Sequence, residues 1–143
     1  MKRVRVDWDG LELAFNDASG MADYFLDTET GEVVMISDAA MSADEVERIR
    51  DMIDADDSGR FVRVPRNESG EGYEDMEEFV ATVPNARARD LLQRAIRGRG
   101  AFRRFKDTLV EFPKERERWF RFQDERLRER IREWLEEEKI EPD

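Results

Sequence analysis

The chain has 143 residues, 39% apolar and 43% charged, with a formal net charge of −11, which suits one hydrophobic core and leads us to expect a single domain over residues 1–143. With no cysteine and no histidine, it excludes disulfides, thiolate chemistry, the commonest metal ligand and the usual neutral-pH proton carrier, so the reading leans away from an enzyme and expects no metal and no cofactor. No stretch approaches the roughly 18 apolar residues of a bilayer span, and Met1-Lys2-Arg3 leads into Val-Arg-Val-Asp rather than an apolar signal core, so the expectation is a cytoplasmic protein without a membrane partner.

In chain order, Asp9 and Glu12 have capping-box spacing, and Trp8, Leu11, Phe15 and Ala18 follow at helical intervals, so a short amphipathic helix runs to about Asp17. Tyr24 to Asp27 and Glu32 to Ile36 then flank Thr28-Glu29-Thr30-Gly31. Gly31 suits the positive φ of a tight turn, and the pair reads as an antiparallel hairpin. Ser42 and Glu45 form a second capping box, ahead of a helix marked by Val46, Ile49, Met52 and Ile53 that ends in the Asp-rich stretch 54–57. Arg60 to Val64 is rich in β-formers and stops at Pro65, giving a third short strand in the hairpin's sheet.

From Glu71 the pattern is helical, with Tyr73, Met76, Phe79, Val80 and Val83 on one stripe until Pro84 breaks it. The preceding stretch, 67–72, is the best candidate for a mobile loop. Asn85 caps the next helix, Gly98 stops it, and Phe102, Phe105 and Leu109 mark another. Pro113 opens the last helix, whose stripe is Phe120, Leu127, Ile131, Trp134 and Leu135 and which spans about 39 Å from Lys114 to Lys139 at 1.5 Å per residue. The fold class is therefore α+β: a small antiparallel sheet of a hairpin plus a third short strand, about six helices, and a long C-terminal helix.

The string Ala95-Ile96-Arg97-Gly98-Arg99-Gly100-Ala101-Phe102-Arg103-Arg104-Phe105-Lys106-Asp107, followed by Trp119, Phe122 and Arg126-Leu127-Arg128, resembles the bacterial Uncharacterised Protein Family 0158. That family's Tyr-x-Leu-Asp-x-x-Thr-Gly-Glu hairpin is matched by Tyr24 to Glu32, and its Tyr-x-x-Met-Glu-x-Phe helix by Tyr73 to Phe79. The resemblance covers roughly Trp8 to Ile140. It implies a small soluble domain and brings no catalytic residue, cofactor or substrate.

Charge is unevenly spread. Residues 1–84 carry 8 basic and 22 acidic side chains, net −14, whereas residues 85–143 carry 17 and 14, net +3. Residues 87–106 hold eight basic groups against one acid, Asp90, net +7. Gly98 and Gly100 lie at the centre of this segment, between one helix end and the next helix start, where backbone amides favour anions. Arg97, Arg99, Arg103, Arg104 and Lys106 are thus candidate binding residues for phosphate or nucleic acid, with Phe102 or Phe105 able to stack on a base if exposed. The plainer alternative is that both rings are core and the arginines are solvated or neutralised by the acidic half of the chain.

Three further constellations carry candidate chemistry. Asp54-Ala55-Asp56-Asp57-Ser58-Gly59 opens like a calcium loop, but Pro65 stands at its twelfth position, where a bidentate glutamate is required, so an acidic turn is the better reading. Glu74, Asp75 and Glu78 share a helical face and are the nearest approach to a carboxylate-dependent metal enzyme; a solvated acidic face accounts for them more simply. Trp119, Phe120, Phe122 and Trp134 make the last helix apolar over more than one stripe, which implies either burial on two sides or a partner, a homodimer through that helix among the choices. The functional reading is a non-enzymatic binding or adaptor module. Nucleic-acid binding by the basic corner and a carboxylate-dependent enzyme are the alternatives.

Overall fold

A computed structural model describes residues 1–66 and 69–143, with nothing said of the side chains of residues 69–71. The elements run β1 (Lys2–Val4), α1 (Trp8–Asn16), β2 (Asp23–Asp27), β3 (Val33–Ile36), α2 (Ala43–Asp54), β4 (Phe61–Arg63), α3 (Ser69–Ala81), α4 (Ala86–Ala95), α5 (Ala101–Val110), α6 (Pro113–Glu137) and β5 (Ile140–Pro142). The α+β class holds: a three-stranded antiparallel sheet of order β3-β2-β4, a separate parallel pair β1-β5, and six helices among the described residues. No helix among the described residues is long and apolar enough to cross a membrane.

The chain divides into two compact units, Met1–Asn67 with Arg128–Asp143, and Glu68–Leu127. By sequence the first carries the whole net charge of −11 and the second is neutral. In the first unit the sheet is organised by one carboxylate. Asp27, only 6% exposed, accepts from Arg60 Nε and Nη2, both at 2.9 Å, and from the Glu29 amide at 3.0 Å. It thereby ties the hairpin turn to the start of β4, and the Arg60 guanidinium holds its pKa down to about 2. Gly31 has φ +81°, and a Cβ there would stand 1.8 Å from the Arg5 carbonyl oxygen, so only glycine lets the turn lie against that strand's exit. The first unit buries Leu11, Leu26, Ile131 and Leu135 completely, and the ring of Phe15 meets Trp134 edge-on at 5.7 Å between centroids.

In the second unit Met76, Phe79, Val83, Leu92, Phe105, Leu109 and Trp119 form one buried cluster. Phe79, Phe105 and Trp119 meet edge to face at 4.8 to 6.3 Å. Such offset ring pairs add to the gain from burial alone.

Several details depart from the sequence reading. The α1 cap is Asp7, whose side chain accepts from the Gly10 amide; Asp9 lies inside the first turn. Ser42 and Asn85 cap α2 and α4 as expected, accepting from Glu45 N and Ala88 N. The 67–72 loop falls at 67 and 68 outside the described residues, and from Ser69 the chain is already helical. The β1-β5 pair was not foreseen. On α6, Trp119 is buried and Phe120 is exposed, the reverse of the single-stripe reading, because residues before Arg128 serve one unit and those from Arg128 on serve the other. Trp119 and Trp134 are buried in these separate cores, while Phe120 is left 47% exposed.

Candidate functional site

The basic segment forms the turn between α4 and α5. Helix α4 stops at Ala95 because Gly98 and Gly100, at φ +75° and +74°, reverse the chain through left-handed conformations that side-chain-bearing residues avoid. Such a reversal leaves carbonyl groups without helical partners. Arg104 supplies the donors: its Nε donates to the Ala95 carbonyl at 2.9 Å, and its two terminal nitrogens donate to the carbonyls of Arg97 and Arg99. The Tyr73 hydroxyl of α3 donates to the intervening Ile96 carbonyl at 3.0 Å. One guanidinium and one phenol thus satisfy four carbonyls of the turn.

Arg104 is therefore occupied by backbone. The other four candidates differ in their partners: Arg97, Arg99, Arg103 and Lys106 are exposed, as Arg104 is, but among the described residues none of them makes an ion pair, side-chain hydrogen bond or ring contact. Neighbouring cations on the same helices are engaged: Arg94 pairs with Asp90 at 3.1 Å, Arg89 donates to the Val83 carbonyl at 3.0 Å, and Arg87 lies 5.8 Å from the Phe112 ring centroid. Asp107, one turn beyond Arg103, forms no ion pair with it among the described residues. The first turn of α5 holds no acid, and its cap Gly100 has no side chain to close it.

The two rings of the segment part company. Phe105 is core, whereas Phe102 is 44% exposed. Its tip rests on the bare backbone of Gly72 in α3, where an added Cβ would come within 2.7 Å of the ring. The ring is anchored at its tip and partly open to solvent. Lys106 follows it at i+4 on the same flank of α5.

The remaining constellations resolve into structure. Asp56 closes an acidic turn, accepting from the Ser58 amide at 3.2 Å and the Ser58 hydroxyl at 2.6 Å, and from the Phe61 amide at 3.2 Å; the Ser58 hydroxyl holds its pKa below the ordinary carboxylate range. Glu78 pairs with Arg126, Asp75 is buried, and among the described residues no three carboxylates gather at metal-binding distance. A hollow of about 380 Å³ lies beside Phe112 and Pro113, edged by Asn85, Glu111, Lys114 and Glu115; Glu115 is already paired with Arg118 at 2.6 Å. Tyr24 donates to Asp17 at 2.7 Å, and burial together with that carboxylate pushes its phenol up to about 12.

Sequence reasoning located the turn and its charge but missed the separate task of Arg104 and the part taken by Tyr73. A hydroxyl-bearing ring on an otherwise apolar stripe was the available signal, since a tyrosine placed there needs a partner for its O–H.

Fold and turn together describe an α+β protein with a rigid cationic turn, and the comparisons agree with the motifs that frame it. The chain belongs to the Uncharacterised protein family (UPF0158), whose model matches residues 4–143. It is 30% identical over 142 residues to a UPF0158 protein of Pseudomonas aeruginosa, covering 99% of this chain and 88% of that one. No solved structure matches it. The three motifs of the resemblance contain residues with clear structural work: Asp27 and Gly31 in the hairpin, Tyr73, Met76 and Phe79 in α3, and Gly98, Gly100, Arg104 and Phe105 at the turn.

Proposed function

We propose that the protein is a non-enzymatic binding module that takes an anionic partner on the α4–α5 turn, through Arg97, Arg99, Arg103 and Lys106. One observation carries this reading: four cations within ten residues, Arg97 and Arg99 on the turn and Arg103 and Lys106 in α5, stand exposed and without ion pairs among the described residues, beside carbonyls tied down by Arg104 and Tyr73. Ion pairing of the kind that engages Arg94 and Arg126 does not involve these four side chains among the described residues. A fixed turn also loses little conformational freedom on binding.

The test is calorimetric titration with inorganic polyphosphate in 50 mM and 200 mM salt. The wild-type protein binds and weakens with salt. The variant Arg97→Gln, Arg99→Gln, Arg103→Gln, Lys106→Gln keeps its thermal melt and loses at least tenfold in affinity. Equal affinity of the two proteins overturns the reading.

A further inference from the structure

Resting on that reading, we infer that the anion is single-stranded nucleic acid, with Phe102 as the platform on which one base stacks and Arg97, Arg99, Arg103 and Lys106 meeting the adjoining phosphates. The inference starts from the ring. An aromatic side chain 44% exposed within a run of cations is wasted on a purely ionic partner: an acidic peptide would engage the guanidinium groups and leave the ring face in water. A splayed nucleotide uses both, since its phosphates answer the cations and its base answers the ring. A duplex answers only the cations, because its base faces are already stacked on one another.

The ring is also held where a platform needs to be held. Its tip lies against the backbone of Gly72, which has no side chain to lift it, and 44% of the residue remains exposed. Phe102 follows Arg99 by three residues, precedes Arg103 directly, and shares a helix flank with Lys106. Arg104 is excluded from the contact set, since the carbonyls of Ala95, Arg97 and Arg99 take its donors.

Four phosphate contacts on a single strand set a slope of about −2.8 in log affinity against log salt, so affinity falls about 50-fold between 50 mM and 200 mM salt. Loss of one stacked base weakens binding about 5- to 100-fold. The experiment is fluorescence anisotropy with labelled 12-nucleotide oligo-U and oligo-dT, a duplex of equal charge, and polyphosphate as competitor. It compares the wild type with Phe102→Leu and Phe102→Trp; leucine keeps the apolar contact with Gly72 but has no ring face, and both variants are first matched to the wild type by thermal melt. The expected result is tighter binding of single strands than of duplex, a loss in that range for Phe102→Leu with polyphosphate affinity unchanged, and retention by Phe102→Trp with quenching of the new indole. If polyphosphate binds and Phe102→Leu leaves the single strand unaffected, or the duplex binds as tightly, the single-strand stacking assignment falls. If no anion binds at all, the anion-binding reading itself falls.

Discussion

Replacing Asp27 by asparagine removes a charge and leaves the shape, so it isolates what the carboxylate contributes. Asp27 is almost fully buried and receives both 2.9 Å hydrogen bonds of the Arg60 fork. Its pKa is lowered from 3.8 to about 2 by that pairing. A drop of nearly two units, at about 1.4 kcal/mol each, corresponds to about 2 kcal/mol of folding stability at pH 7. The geometry gives a similar figure: breaking a fully buried pair costs about 3–5 kcal/mol, and here the loss is smaller because Arg60 keeps partial access to water and a second partner, Glu29, at 3.4 Å. Because the folded-state pKa is depressed, the contribution is complete above the unfolded value near 3.8 and disappears as pH falls through about 2. Urea unfolding of the wild type and Asp27→Asn, followed by tryptophan fluorescence from pH 7 to pH 2, should show curves about 2 kcal/mol apart at neutral pH that converge at the acid end. In an Arg60→Ala background the gap at neutral pH should shrink. A separation that stays constant with pH would refute the linkage argument, and no separation at pH 7 would refute the role of the pair.

Three further outcomes can be measured. Gly31→Ala places a Cβ against the Arg5 carbonyl and should cost more than about 2 kcal/mol, whereas Gly98→Ala, with nothing within 4 Å, meets only the left-handed backbone penalty of roughly 1 kcal/mol; chemical denaturation of both variants compares them. Arg104→Ala should lose about 2 kcal/mol, since the Ala95 carbonyl is buried and loses a charged donor, while Arg103→Ala should stay within about 0.5 kcal/mol; similar melts for the two would remove the distinction drawn between them. We propose that the whole chain forms one cooperative domain, which gives a single calorimetric transition; two transitions, divided at residues 68 and 127, would make each unit a separate folding domain.

Elements whose ends carry their own chemistry were legible in the sequence. Ser42, Asn85 and Pro113 mark helix starts, and Asp27 to Gly31 marks a hairpin, through interactions within three or four residues, which a local reading can see. At α1 two acids stood near the start, and the choice between Asp7 and Asp9 depended on which one reached the Gly10 amide. The parallel β1-β5 pair joins three-residue segments at opposite ends of the sequence, too short for periodicity and too distant for any local cue. A helix shared by two cores defeats a single-stripe reading, as Trp119 and Phe120 show on α6. At the basic turn, glycine positions and charge were plain, but counting charges treats five cations alike. Only the geometry separates Arg104, engaged with three carbonyls, from the four around it, and only burial separates Phe102 from Phe105.

The pairing of Lys2 with Ile140 and Val4 with Pro142 bears on the order in which the protein is made. Every residue of the second unit has left the ribosome once Leu127 has emerged, so its core can close early. The first unit, whose strand β1 is translated before any of the second unit, must wait for the last turns of α6 and for β5 before that strand finds its mate. During synthesis the acidic amino-terminal stretch is therefore held incomplete, while the segment bearing the cationic turn can already be folded.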